Sequence, residues 1–154
     1  MKIKKFYFKS INSTNDKAIK IIKKTQVKFG IIIAETQKKG RGRYGKKWIS
    51  IKGNLFTSIF FCLDKIDESL GDLTKINCKL VKKILSKYRN EKITIKYPND
   101  LMIKKKKFCG ILQETLNKSN NKFMIVGVGI NLVKNPDIIN YPTTHLTKYS
   151  NIKI

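Results

Sequence analysis

Four strand-length runs, at residues 93–97, 101–103, 108–115 and 122–130, follow one another with only short polar clusters between them. A parallel pair needs a crossover of about a dozen residues or more, which the connections at 104–107 and 117–121 cannot supply. The segment therefore predicts an antiparallel meander. Upstream, residues 3–8 read as a short strand. Ser13-Thr14-Asn15-Asp16 then has the spacing of a helix-capping box, with Ala18, Ile21 and Ile22 on one face, which predicts a helix over about 14–24. The β-branched run FGIIIAE at 29–35 suits a strand covered on both faces, and NLFTSIFFCL at 54–63 suits another. Between 69 and 88, Leu73, Ile76, Leu80 and Ile84, with Val81, Leu85 and Tyr88, recur at three and four, the mark of an amphipathic helix.

Strands and helices mixed without strict alternation predict an α+β fold with a mixed, largely antiparallel sheet and flanking helices. A length of 154 residues suits one domain, a motif-bearing core over 1–131 and a loose tail over 132–154. Lys+Arg 34 against Asp+Glu 10 gives a net charge of +24, which raises the question of nucleic acid or an anionic surface. Only Arg41, Arg43 and Arg89 are arginines, however, and the lysines are strewn along the whole chain. Arginine is the usual bidentate reader of phosphate and guanine, so scattered lysine is a weak sign of a nucleic-acid groove. The abundance of Lys, Ile and Asn fits a compositional drift that colours the surface without choosing a partner.

Cys62, Cys78 and Cys109 are widely spaced, with no C-x-x-C pair and only His145 to complete a metal site, which excludes a structural zinc. They read as small core residues of a reducing compartment. No run reaches the ~18 apolar residues of a membrane helix, and the start lacks a signal peptide's apolar stretch. A soluble cytoplasmic protein is the expectation.

The chemistry concentrates in four segments. Gly40-Arg41-Gly42-Arg43-Tyr44-Gly45-Lys46-Lys47-Trp48 combines a permissive backbone with four cations ahead of the tryptophan, a loop able to close over an anion. It meets neither the Walker nor the dinucleotide spacing, and by itself it also suits a solvated hairpin or an RGG-like contact. Lys96-Tyr97-Pro98-Asn99-Asp100 breaks a strand with proline and follows it with a carboxylate, in a functional turn or an ordinary one. Lys107 precedes Gly110 in a lysine-rich hairpin. Gly127-Val128-Gly129-Ile130-Asn131 puts two glycines in a strand, which means either a close approach to the backbone or a β-bulge.

In order and spacing these segments resemble the catalytic domain of biotin protein ligases. The carrying blocks are Ser13-Thr14-Asn15, Gln37, Gly40 to Trp48, Lys96 to Asp100, Lys107 to Glu114 and Gly127 to Asn131. The resemblance implies a fold similar to class II aminoacyl-tRNA synthetases and biotin/lipoate ligases. It implies a two-step reaction in which ATP and biotin form biotinyl-adenylate, with Mg²⁺ beside the phosphates, and a carrier lysine then takes the biotin. The implied partner is the biotin carboxyl carrier protein of acetyl-CoA carboxylase, with no specific DNA, no membrane, and a homodimer left open.

By the family pattern, Lys107, Arg43 and Arg41 are the catalytic cations. Ser13, Thr14, Asn15, Gln37, Arg41, Gly42, Arg43 and Lys107 line the biotin site with an apolar wall from Gly110, Ile111 and Leu112. Gly40, Lys46, Trp48, Asn99 and Asn131 take the nucleotide, and Asp100 stands near Mg²⁺. Tyr97 stands where the pattern more often has Trp, and Lys46 where it more often has Arg. The N-terminal DNA-binding and C-terminal domains of larger relatives are not expected in a chain of this length. Lipoate or octanoate transfer on the same fold and a non-catalytic basic nucleic-acid module are the competing readings, and the G-R-G-R-x-G block argues against the first.

Overall fold

The structure is a computed structural model that describes residues 2–64 and 66–151, so the end of the expected tail, 152–154, lies outside the described residues. Strand β1 (Lys4–Ile11) leads through helix α1 (Thr14–Lys24) to β2 (Phe29–Gln37), a β-α-β unit whose strands pair in parallel. Strand β3 (Leu55–Cys62) pairs antiparallel with β2, and helix α2 (Leu70–Leu85) then carries the chain to the far edge. There β4 (Ile93–Lys96), β5 (Asp100–Ile103), β6 (Lys106–Lys118) and β7 (Asn121–Ile130) form the expected meander, giving one sheet in the order β1-β2-β3-β7-β6-β5-β4. The mixed, largely antiparallel α+β expectation is met. Among the described residues no helix is long and apolar enough to cross a membrane.

Alternation along β7 assigns the two faces. Phe123 and Ile125 pack with Ala18 and Ile22 of α1, whereas Met124, Val126, Val128 and Ile130 pack with Leu73, Cys78 and Leu85 of α2. Helix α1 thus covers one face and α2 the other, and successive side chains of a strand go to opposite cores. Ser13 caps α1, its Oγ accepting from Asp16 N at 3.3 Å, and Ser69 caps α2 from Asp72 N at 3.1 Å.

Four expectations need correction. Strand β2 is fully covered on one face only: Gly30, Ile32 and Ala34 are buried, but Ile31 and Ile33 are half-buried because α2 packs over the meander half of the sheet. In α2 the stripe Ile76, Leu80, Ile84 and Tyr88 is exposed, and Leu73, Cys78, Val81 and Leu85 face the core; the last turn, 86–88, is a 3₁₀ turn. The β5–β6 hairpin turns at Lys104 and Lys105, both with positive φ, so Lys106 and Lys107 belong to β6 and not to the tip. The segment after Asn131 is no loose tail. Asn54 Oδ1 accepts from the N–H groups of Leu132, Val133 and Lys134 at 3.0 to 3.3 Å, and Thr144 and Leu146 are buried.

Candidate active site

On the α1 face, rows of paired residues run across the sheet. Phe56, Gly129 and Gly110 form one row, and Ser58, Gly127 and Leu112 the next. Pairing is unbroken through both glycines of β7, so they mark close approach and not a bulge. A Cβ on Gly129 would lie 2.5 Å from Trp48 Cε2, one on Gly110 2.7 Å from Trp48 Cζ3, and one on Gly127 2.4 Å from Asn15 Oδ1. The three glycines form a floor on which the indole and the Asn15 amide rest.

The bulge lies elsewhere. Leu101 pairs with Cys109 but Met102 with Lys107, leaving Phe108 as one extra residue in β6. In a regular strand, residues 107 and 110 would point to opposite faces. The inserted residue reverses the phase, so Lys107 joins Asp100 and Gly110 on the cleft side while Phe108 and Cys109 stay in the α2 core. Lys107 Nζ lies 3.0 Å from Asp100 Oδ1, and both side chains are less than a fifth exposed. The angle is too poor for a hydrogen bond, and that oxygen is otherwise without a partner. Burial pushes the Cys109 thiol up, so it stays neutral and is no nucleophile.

The resulting cleft spans about 870 Å³ including its open mouth. Every expected site residue except Gly40 and Asn131 lines it. Gly40 sits at the foot of the glycine-rich loop, where its O accepts from Trp48 N at 2.9 Å. Asn131 lies in an adjoining recess with Trp48 and Tyr141. Ile111 lines the cleft with its backbone only. Its side chain is in the α2 core, as alternation requires, so the apolar wall falls to Leu112. Ile111 N donates to Asn99 O at 2.9 Å and Ile111 O accepts from Asn99 Nδ2 at 3.0 Å, which fixes the turn before β5.

At the other end Gln37 Oε1 accepts from Thr14 N at 2.8 Å and Thr14 Oγ1 at 3.1 Å, tying β2 to the start of α1. Asn15 is held at every polar atom: Nδ2 donates to Leu112 O and Glu114 Oε2, and Oδ1 accepts from buried Ser58 Oγ at 2.6 Å. Arg41 is held as firmly. Its Nη1 and Nη2 meet the two carboxylate oxygens of Glu114 at 3.0 and 2.9 Å, and Nη2 also meets Asp16 Oδ1 at 2.8 Å. The hydrogen bonds it donates to Glu114 raise the guanidinium pKa above its ordinary value.

Arg43, Lys46 and Lys47 pair with no carboxylate among the described residues. Arg43 lies against Tyr44, a non-glycine residue at φ 55°, donating to its hydroxyl at 2.7 Å, and is 3.5 Å from Asn99 Oδ1. The loop thus presents cations from a strained backbone whose base is anchored by Arg41.

Sequence reasoning did not single out Ser58, Tyr44 or Tyr141. A serine alternating with phenylalanines in an apolar strand was a readable sign for Ser58, whereas nothing in the sequence marked Tyr141. Among the described residues no three His, Cys, Asp or Glu side chains cluster as a metal site.

The sequence matches the biotin/lipoate A/B protein ligase family over residues 7–131. It is 38% identical over 102 residues to the bifunctional ligase/repressor BirA of Escherichia coli K12, covering 65% of this chain and 32% of that protein. It is 29% identical over 150 residues to BirA of Bacillus spizizenii, covering 94% of this chain and 46% of that protein. The chain therefore spans about a third to just under half of the length of these curated relatives. Among solved structures, biotin protein ligase from Aquifex aeolicus in complex with biotin and ATP aligns with a TM-score of 0.76 at 32% identity, covering 94% of this chain and 60% of that one. A lipoate protein ligase of Thermoplasma acidophilum shares the fold, with a TM-score of 0.61 at 13% identity over 99% of this chain and 78% of that one. With the family's match running from β1 to Asn131, the chain belongs to the biotin/lipoate A/B protein ligases.

Proposed function

We propose that this chain joins biotin to a lysine of a biotin carboxyl carrier protein, that of acetyl-CoA carboxylase, through biotinyl-5'-adenylate. The observation that carries the reading is one cleft in which a polar wall (Thr14, Asn15, Gln37) and Leu112 adjoin a group of cations (Arg43, Lys46, Lys107) and an aromatic platform (Trp48). A ureido ring asks for the first, a carboxylate and phosphates for the second, and a purine for the third.

In the first step an oxygen of the biotin carboxylate bonds to the α-phosphorus of ATP, and the bond to the bridging oxygen breaks, releasing pyrophosphate with its electron pair. Two anions must meet, so positive charge fixed at the meeting point lowers the barrier. Lys107 and Arg43 supply it, and Lys46 reaches the nucleotide side. In the second step a carrier amine attacks the acyl carbon, AMP leaves, and the amine's proton is released.

Trp48 Nε1 and Asn131 Oδ1 are buried beside the recess with no hydrogen-bond partner, a donor and an acceptor that an adenine edge would satisfy. Asp100 is a single carboxylate already paired with Lys107. That fits Mg²⁺ arriving with the triphosphate and taking at most one protein ligand, since the ion is commonly held by one or two carboxylates plus phosphates. Bound there, Mg²⁺ would neutralise phosphate charge.

The reading is tested by incubating the chain with ATP, biotin and a carrier domain and probing the acceptor lysine with streptavidin, beside a filter-binding assay with RNA and DNA at physiological salt. Biotin-dependent label is expected. Nucleic-acid retention without label would favour the basic-module reading, and label from lipoate in place of biotin would favour the other branch of the family.

A further inference from the structure

After Ile130 strand β7 ends, and residues 142–144 take the place beside β6 that it vacates. Lys107 N donates to Pro142 O at 3.0 Å, Thr144 N donates to Lys107 O at 2.9 Å, and Thr143 bridges Lys107 in parallel. The segment is fastened at both ends. Asn54 grips its start through the 132–134 backbone, and Asn131 holds its end, with Nδ2 donating to Thr144 O at 3.2 Å and O accepting from Leu146 N at 2.9 Å. What it carries to the cleft is Tyr141, whose ring centroid lies 5.2 Å from Lys107 Nζ, with Trp48 at 5.4 Å.

We propose that Tyr141 is a positioning residue for Lys107, its ring and that of Trp48 walling the ammonium into the cleft. The proposal rests on the reading of Lys107 as the cation that receives the biotin carboxylate and the α-phosphate. A lysine head is a compact charge on a flexible four-carbon stem, and something must hold it without consuming it. A second carboxylate would orient the head but cancel the charge the reaction needs. An aromatic face attracts the cation through its quadrupole and leaves the N–H donors and the net charge to the incoming anion. Asp100 alone does not fix the direction, because its contact with Lys107 lacks hydrogen-bond geometry.

The test uses the whole chain with Tyr141→Leu and Tyr141→Phe. Brief labelling with limiting acetic anhydride, read by peptide mass spectrometry, gives the ratio of Lys107 to Lys105 acetylation without reference to activity. Tyr141→Leu is expected to raise that ratio roughly 3- to 10-fold and Tyr141→Phe to leave it near wild type, since the ring and not the hydroxyl faces the cation. In adenylation, Tyr141→Leu is expected to lower kcat roughly 3- to 30-fold with KM for biotin within about 2-fold, and Tyr141→Phe to restore it.

Equal behaviour of the Leu and Phe variants, or a change in KM alone, would overturn the proposal. If Tyr141→Leu does not fold, Tyr141→Met keeps the bulk without a π face and is read the same way. If the wild-type chain forms no biotinyl-adenylate, the functional reading fails, while the labelling ratio still decides the positioning.

Discussion

Glu114→Gln asks whether Arg41 anchors the glycine-rich loop or reads phosphate. In the structure the guanidinium meets both Glu114 oxygens at 2.9–3.0 Å, Asp16 at 2.8 Å, and shares Glu114 Oε2 with Asn15. A charged bidentate pair is stronger than an ordinary surface contact, but the Arg41 side chain is 35% exposed, so solvent discounts it. The loss on neutralising Glu114 comes to about 1–2 kcal/mol, or roughly 2–8 °C in melting temperature for a chain of this size. Because Arg43 rides on the same loop, adenylation should fall about tenfold, equivalent to ~1.4 kcal/mol of lost positioning. Asp16→Asn, which removes one more exposed contact, should cost less in both measures. Thermal melts and KM for ATP are measured together. Were Arg41 a phosphate reader restrained by its carboxylates, Glu114→Gln would free it. An unchanged melt with a lower KM for ATP would therefore refute the anchor.

Other outcomes follow from the same geometry. Arg43→Gly should still make some biotinyl-adenylate but release it faster, because loop ordering costs ~1–2 kcal/mol per residue and must be repaid by contacts to the ligand; the dissociation rate and labelling of added serum albumin check this, and total loss at the first step would make Arg43 a residue of adenylation instead. Lys107→Ala should lose adenylation far more than Lys105→Ala, since Lys105 sits in the exposed turn, and comparable losses would mean that the hairpin is a charge cluster only. Gly129→Ala should push Trp48 off its floor at about 1–3 kcal/mol of strain. Trp48 is the sole tryptophan, so its emission should move red; an unshifted spectrum would contradict the contact.

What was legible in the sequence is what local chemistry dictates. Ser13 caps its helix because its spacing to Asp16 is a local signal; the same spacing from Ser69 to Asp72 caps α2, a signal the sequence reading did not use. Gly127 and Gly129 marked a close approach or a bulge; only the unbroken pairing of β7 decides for the first, and nothing local names Asn15 and Trp48 as the neighbours.

Long-range placement was not legible. The spacing of Lys107 to Gly110 suits opposite faces of a strand, and only the bulge at Phe108 reconciles it with the cleft. Asp16 and Glu114 were visible as a cap and as part of a motif, but their joint hold on Arg41 depends on bringing α1 and β6 together. Periodicity likewise could not say which side of α2 would be covered, and nothing near residue 141 announces that its ring reaches Lys107.

The most direct measurement of the central claim is isotopic exchange of pyrophosphate into ATP by the purified chain, run with biotin, with lipoate, with octanoate and with no acid. Reversible adenylation in this cleft predicts exchange with biotin alone, abolished in Lys107→Ala. Exchange without any acid, or equal exchange with lipoate, would contradict it.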